Sequence, residues 1–165
     1  MAIRNIVLDG DPILLKEMRK VEKFDEKLHL LLEDMEDTLI EQNGAGLAAP
    51  QVGIMRQICI VFTDEEEGII ELINPEIISE EGEQNGAEGC LSFPGEFGLV
   101  KRPMTVTVKA QDRNGNWFEK TGTEFTARAF CHEIDHLHGV VFTTKVSRML
   151  TQEELEAGVY EKDEE

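Results

Sequence analysis

Two histidines stand four residues apart in His132-Glu133-Ile134-Asp135-His136, with a glutamate directly after the first. On a helix, positions i and i+4 share a face with their Cβ atoms about 6 Å apart, so both imidazoles reach one metal ion. Glu133 is then close enough to contact a water on that metal without ligating it. This pattern supports metal-assisted hydrolysis: a divalent ion lowers the pKa of its water toward about 7, and a carboxylate takes and returns the proton. Such a site needs a third protein ligand and an open fourth position. After His136 the sequence offers His138, which points off the shared face and suits a surface or supporting role. Glu153, Glu154 and Glu156 also stand open as ligands on spacing alone. Upstream, Glu88-Gly89-Cys90-Leu91-Ser92 offers a thiol flanked by glycine.

The histidines need a rigid element, and the pattern predicts a helix from near Thr121, where Thr121 and Glu124 have capping-box spacing, to Gly139. Phe130, Ile134 and Leu137 form one apolar face of it. Phe125, Arg128, Ala129, His132 and His136 form another, so the helix should be central and covered on both sides. A second amphipathic helix lies nearer the N-terminus, with Leu28, Leu31, Leu32, Met35 and Leu39 in one stripe between an Asp25 cap and an Asn43-Gly44 stop. His29, at the edge of that stripe, reads as a surface histidine. Strands are expected over Gln57 to Phe62, Ile69 to Ile73, Pro75 to Ser79 and Met104 to Ala110, with Asn114-Gly115 turning into Trp117 and Phe118. The fold class is therefore α+β, with short antiparallel strands packed around the central histidine helix. Residues 1–150 are read as one catalytic domain and 151–165 as an acidic C-terminal tail.

The chain carries 34 acidic residues against 16 Lys and Arg, a net charge of -18, which argues against direct binding of free nucleic acid or of anionic membrane surfaces. No apolar run approaches the roughly 20 residues of a membrane span. The N-terminus shows no secretory or transit pattern, which points to a cytoplasmic protein. Cys59, Cys90 and Cys131 are too few and too scattered for a disulfide framework. Cys59, within an apolar strand, is most simply a core residue.

Taken together, Gly44-Ala45-Gly46-Leu47-Ala48-Ala49-Pro50-Gln51, Glu88-Gly89-Cys90-Leu91-Ser92 and His132-Glu133-Ile134-Asp135-His136 resemble the motifs of peptide deformylases in order and spacing, from about Ala2 to Arg148. The resemblance implies a bacterial-type cytosolic enzyme that removes the formyl group from N-terminal formylmethionine of new polypeptides and releases formate. By the same resemblance Cys90, His132 and His136 ligate the metal. That metal is iron(II) first, with nickel, cobalt or zinc able to substitute. Hydroxide on the metal attacks the formyl carbon with Glu133 as base and then acid, while the Gln51 amide and the Leu91 N–H stabilise the oxyanion.

Gly44, Gly46 and Gly89 are expected to leave bare backbone for a peptide running alongside. Phe125, Ala129, Ala45 and the His132 ring are candidates for the methionine pocket, with Arg128 covering it by its stem. Glu88, at the cysteine segment, is expected near the substrate and in an ion pair with Arg102 that steadies the cysteine loop. The implied partners are N-formylmethionyl nascent peptides and, transiently, the ribosome, for an enzyme expected to be monomeric. Three features depart from the family: Cys131 stands where many members have glutamine, Ala45 replaces a branched residue, and the tail is acidic where the better-known docking tail is basic. A His-Glu-x-x-His metallopeptidase with its third ligand after His136 is the alternative.

Overall fold

The computed structural model describes residues 2–158. Asp25 begins helix α1 (Glu26–Gln42) by accepting a hydrogen bond from the Leu28 N–H at 3.1 Å, and Asn43 ends it in the left-handed conformation at φ 54°. Leu28, Leu32, Met35 and Leu39 bury the expected stripe against Leu47, Ile58, Ile60 and Ile73 of the neighbouring strands. Each such side chain contributes roughly 1.5–3 kcal/mol. His29 sits at the rim, half-buried, with its Nε2 2.9 Å from the Arg113 carbonyl.

After α1 come β1 (Gly46–Ala48), β2 (Ile58–Asp64), β3 (Gly68–Glu81), β4 (Gln84–Cys90), β5 (Phe93–Arg102), β6 (Thr105–Gln111), β7 (Trp117–Thr123), helix α2 (Phe125–Leu137), β8 (Val146–Met149) and the short helix α3 (Gln152–Ala157). The strands form two antiparallel sheets, β1-β2-β3-β6-β7 and β4-β5-β8. Helix α2 packs against all five strands of the larger sheet and against β5 of the smaller one. Its Ala127, Phe130, Ile134 and Leu137 join Cys59, Val61, Leu72, Val106 and Val108 in the main core. The expected α+β class with antiparallel strands and few helices agrees with this architecture.

Several local readings change. The helix does not start near Thr121: Thr121 lies in β7 and its hydroxyl meets Thr107 Oγ1 across the ladder at 2.8 Å. Glu124 enters α2 at φ 53° without a side-chain cap. A β-branched threonine in a paired strand overrides the capping-box spacing. The segments 69–73 and 75–79 are one strand, β3, broken in register between Ile73 and Glu76. Asn74 stands there at φ 52°, bonded through its amide to both backbone groups of Val21, and Pro75 is tolerated because a bulge needs no ladder N–H.

Of the cysteine segment, Glu88, Gly89 and Cys90 end strand β4, paired with β5, and Leu91 and Ser92 form the turn between them. Within the expected acidic tail, α3 is capped by Thr151, while residues 159–165 lie outside the described residues. Among the described residues no helix is long and apolar enough to cross a membrane.

Candidate active site

Helix α2 carries His132 and His136 at their helical spacing, with ring centroids 4.9 Å apart. The end of β4 brings Cys90 to them, so that the ligand atoms of Cys90, His132 and His136 all lie within 4.8 Å of one another. His136 Nε2 is 3.3 Å from Cys90 Sγ. One cysteine sulfur and two imidazoles converging on a point suit a borderline transition ion such as iron, nickel, cobalt or zinc. Among the described residues this is the one group with such convergence. His138 turns outward to pair with Glu17 at 2.7 Å, and Glu154 pairs with Arg148. Cys131 points into the core, where burial pushes its thiol up to about 11.

Glu88 is 5% exposed and sits at the centre of a buried charge network. Arg102 grips it with two nitrogens at 3.1 and 2.6 Å, Arg128 donates at 3.0 Å, and His132 Nδ1 lies 2.6 Å from Oε2. Burial opposes ionisation of Glu88, but the hydrogen bonds from His132 and Arg102 outweigh it and hold the carboxyl well below the usual range. An ionised carboxylate only accepts, so Nδ1 of His132 carries the proton toward Glu88, and Nε2 lies 4.0 Å from Glu133 Oε2. Arg102 also reaches Asp135 at 2.7 Å, which ties β5 to α2. The expected Glu88–Arg102 pair is present. Its reach to Arg128 and Asp135 was not foreseen, and no local spacing signals it. With every lone pair engaged by protein, Glu88 fixes the orientation of the His132 ring.

Glu133 is a contrast. Its Oε1 is buried with no hydrogen-bond partner, and Oε2 comes no nearer than 4.0 Å to His132 Nε2. Burial pushes the Glu133 carboxyl up to about 7. Gln51 is fixed through Oε1, which accepts from the Ala48 N–H at 2.9 Å, and its Nε2 points at Cys90 Sγ at 3.4 Å and Ser92 Oγ at 3.1 Å. Ser92, fully buried, is a support the sequence did not single out.

A cavity of about 460 Å³ opens onto these groups. Gly44, Ala45, Gly46, Gln51, Glu88, Gly89, Cys90, Leu91, Phe125, Arg128, Ala129, His132 and Glu133 all line it, as do Pro94, Gly95 and Phe97 of β5, which the sequence reading left out. A side chain at any of the three glycines would meet the protein itself. A Cβ at Gly44 would meet Leu91 Cδ1 at 3.0 Å, at Gly89 the Phe97 ring at 2.4 Å, and at Gly46 the Glu133 carboxylate at 2.6 Å. Internal packing occupies each of those directions.

Residues 3–152 match the family described as polypeptide deformylase. The chain is 55% identical to a peptide deformylase of Alkaliphilus metalliredigens over 88% of its own length and 98% of that relative's. It is 54% identical to one from Caldanaerobacter subterraneus, covering 94% and 97%. Among solved structures, the peptide deformylase of Thermotoga maritima superposes with a TM-score of 0.85 at 38% identity, covering 90% of this chain and all of that one. A class I type b peptide deformylase of Acinetobacter baumannii, bound to Met-Ala-Ser, gives 0.82 at 32% identity over 87% and 98%.

Proposed function

The chain belongs to the polypeptide deformylase family, metal-dependent hydrolases that remove the formyl group from N-terminal formylmethionine, and on that premise we propose how its own residues do so. Cys90, His132 and His136 would hold the ion, which we take to be iron(II), with nickel, cobalt or zinc as substitutes. When bound, the ion supplies Lewis acidity that makes a water ionisable near neutral pH. Glu133 Oε1 accepts the proton of the attacking water and delivers it to the departing amine. Gln51 Nε2, held beside Cys90 Sγ, and the Leu91 N–H that follows Cys90 donate to the oxyanion. Strands β1 and β4 each end their sheet and flank the cavity, so an extended peptide can pair with their free edges. Ala45, Phe125, Ala129 and the His132 ring supply apolar surface for the methionine side chain, and Arg128 borders it.

The observation that carries this reading is the buried, unpartnered Glu133 Oε1 beside a three-ligand cluster. A carboxylate without a structural partner is available to move a proton. The Met-Ala-Ser held by the Acinetobacter relative supports a methionyl peptide as the occupant. The metallopeptidase alternative is not favoured, because Cys90 from upstream completes the ligand group. We take the enzyme to act as a cytoplasmic monomer that meets nascent chains through transient ribosome contact. The test is anaerobic purification with iron or nickel, followed by formate release from formyl-Met-Ala-Ser. The unmodified enzyme should turn over, and Glu133→Ala should retain metal and lose about 10²–10⁴ in kcat. Metal-loaded protein that releases no formate above background overturns the assignment.

A further inference from the structure

Gly46 is buried in β1, opposite Val61 of β2, and its α-carbon faces α2. A Cβ placed there would lie 2.6 Å from Glu133 Oε2, 2.8 Å from its Cγ and 2.9 Å from its Cδ. All three nearest atoms belong to this one side chain. The bare backbone of β1 is therefore the surface on which the Glu133 carboxylate rests. Among the described residues Oε1 has no hydrogen-bond partner, and the nearest cation-forming nitrogen to Oε2 is His132 Nε2 at 4.0 Å.

We propose that Gly46 is a positioning residue for proton transfer, its missing side chain setting where the Glu133 carboxylate sits. This rests on Glu133 being the base, and it differs from the idea that Gly46 is bare to admit substrate.

The energetics separate fold from function. What a methyl at 46 displaces is Cγ, Cδ and Oε2 of a rotatable side chain rather than backbone, so rotation of Glu133 about χ1 and χ2 clears it. Clearing the overlap to an ordinary contact of about 3.5–4 Å moves the carboxylate by roughly 1 Å. A misplacement of about 1 Å in a reacting constellation lowers rates on the order of 10²-fold.

The experiment is a double-mutant cycle on the metal-loaded enzyme, read by kcat and KM for formyl-Met-Ala-Ser together with metal content and melting temperature. Gly46→Ala should lower kcat about 10²-fold with KM, bound metal and Tm nearly unchanged. Glu133→Asp withdraws the carboxylate by one methylene, which costs rate when residue 46 is glycine but makes room beside alanine. The second substitution should therefore cost at least tenfold less in the Gly46→Ala background than alone. Gly89→Ala, whose Cβ would crowd Phe97 instead, should show no such coupling with Glu133→Asp.

Penalties that simply multiply, a rise confined to KM, or a Gly46→Ala protein that fails to fold each overturn the proposal. Glu133→Gln is run in parallel. Full activity there would strike at the proton-transfer role itself rather than at Gly46.

Discussion

Glu88 and Glu133 are the same residue type, 5% and 4% exposed, on two sides of one ligand cluster, yet they are in opposite electrostatic situations. Glu88, on β4, is surrounded by Arg102, Arg128 and His132 and stays ionised well below the ordinary carboxylate range. Glu133, on α2, has no such company, and burial lifts it to about 7. Burial is common to both, so the partners decide. A carboxylate whose lone pairs are all engaged can orient a ligand but cannot take up a proton, whereas one left alone is poorly anchored but reactive. The site places one of each against the histidine pair, with His132 bonded to Glu88 at 2.6 Å and 4.0 Å from Glu133.

The strongest way to break this contrast is to remove the partnered acid. Glu88→Ala leaves Arg102 and Arg128 buried without their counter-charge, and loss of one member of such a group costs about 3–5 kcal/mol. It also frees His132 Nδ1, and loss of an orienting acceptor typically weakens metal binding 10–100-fold. Denaturant unfolding should show the first effect and competition with a chelator the second. A Glu88→Ala protein with unchanged stability and metal affinity would mean that the network seen around Glu88 does not act as one.

Glu133→Gln should behave in the reverse sense in the metal-free protein. A carboxyl raised from its ordinary value to about 7 stabilises the fold relative to its ionised state at low pH, and that contribution disappears as pH rises through 7. Glutamine has no proton to lose there. The variant should match the parent near pH 4 and exceed it by about 3 kcal/mol at pH 9, while losing activity once metal is restored. Equal stability curves across that range would show that Glu133 is as well compensated as Glu88.

How legible this was in the sequence differs between the two acids. Glu133 was readable because i and i+4 spacing is a local signal that a helix converts directly into geometry. The α1 stripe and its Asp25 and Asn43 caps were readable for the same reason. Glu88 could be paired with Arg102 but not placed among Arg128, His132 and Asp135, since those contacts join strands and a helix far apart in the chain. Strands β4 and β5 were missed because Gly86, Gly89, Pro94, Gly95 and Gly98 give them weak β-propensity, so tertiary pairing rather than local preference forms them. Cys90 was recognisable only through its motif, because the approach of its strand end to α2 leaves no periodic trace. The glycines were found, but the steric reason for them needed coordinates.

A third acid tests whether partner number, rather than membership of the site, is what matters. Arg113, in the turn between β6 and β7, faces three carboxylates: Glu71 at 2.6 Å, and Glu33 at 3.9 Å and Glu36 at 4.0 Å on α1. One cation cannot satisfy three acids. Partial burial raises Glu71, but its hydrogen bonds with Arg113 outweigh this and leave it lowered; Glu36, desolvated and beside Glu71, is pushed up to about 8. The two carboxyls titrate as a pair, Glu36 shifted upward and Glu71 downward.

For a raised carboxyl the stabilising contribution is complete below the unfolded value near 4.5 and is lost as pH rises through about 8. Glu36→Gln removes that loss. Because Glu36 is partly exposed, solvent screening limits the gain to about 1 kcal/mol at pH 9, with no gain at pH 4. Thermal unfolding of the two proteins at both pH values measures it. A Glu36→Gln variant that is less stable than its parent at pH 9 would show that Arg113 serves Glu36 as fully as Arg102 serves Glu88.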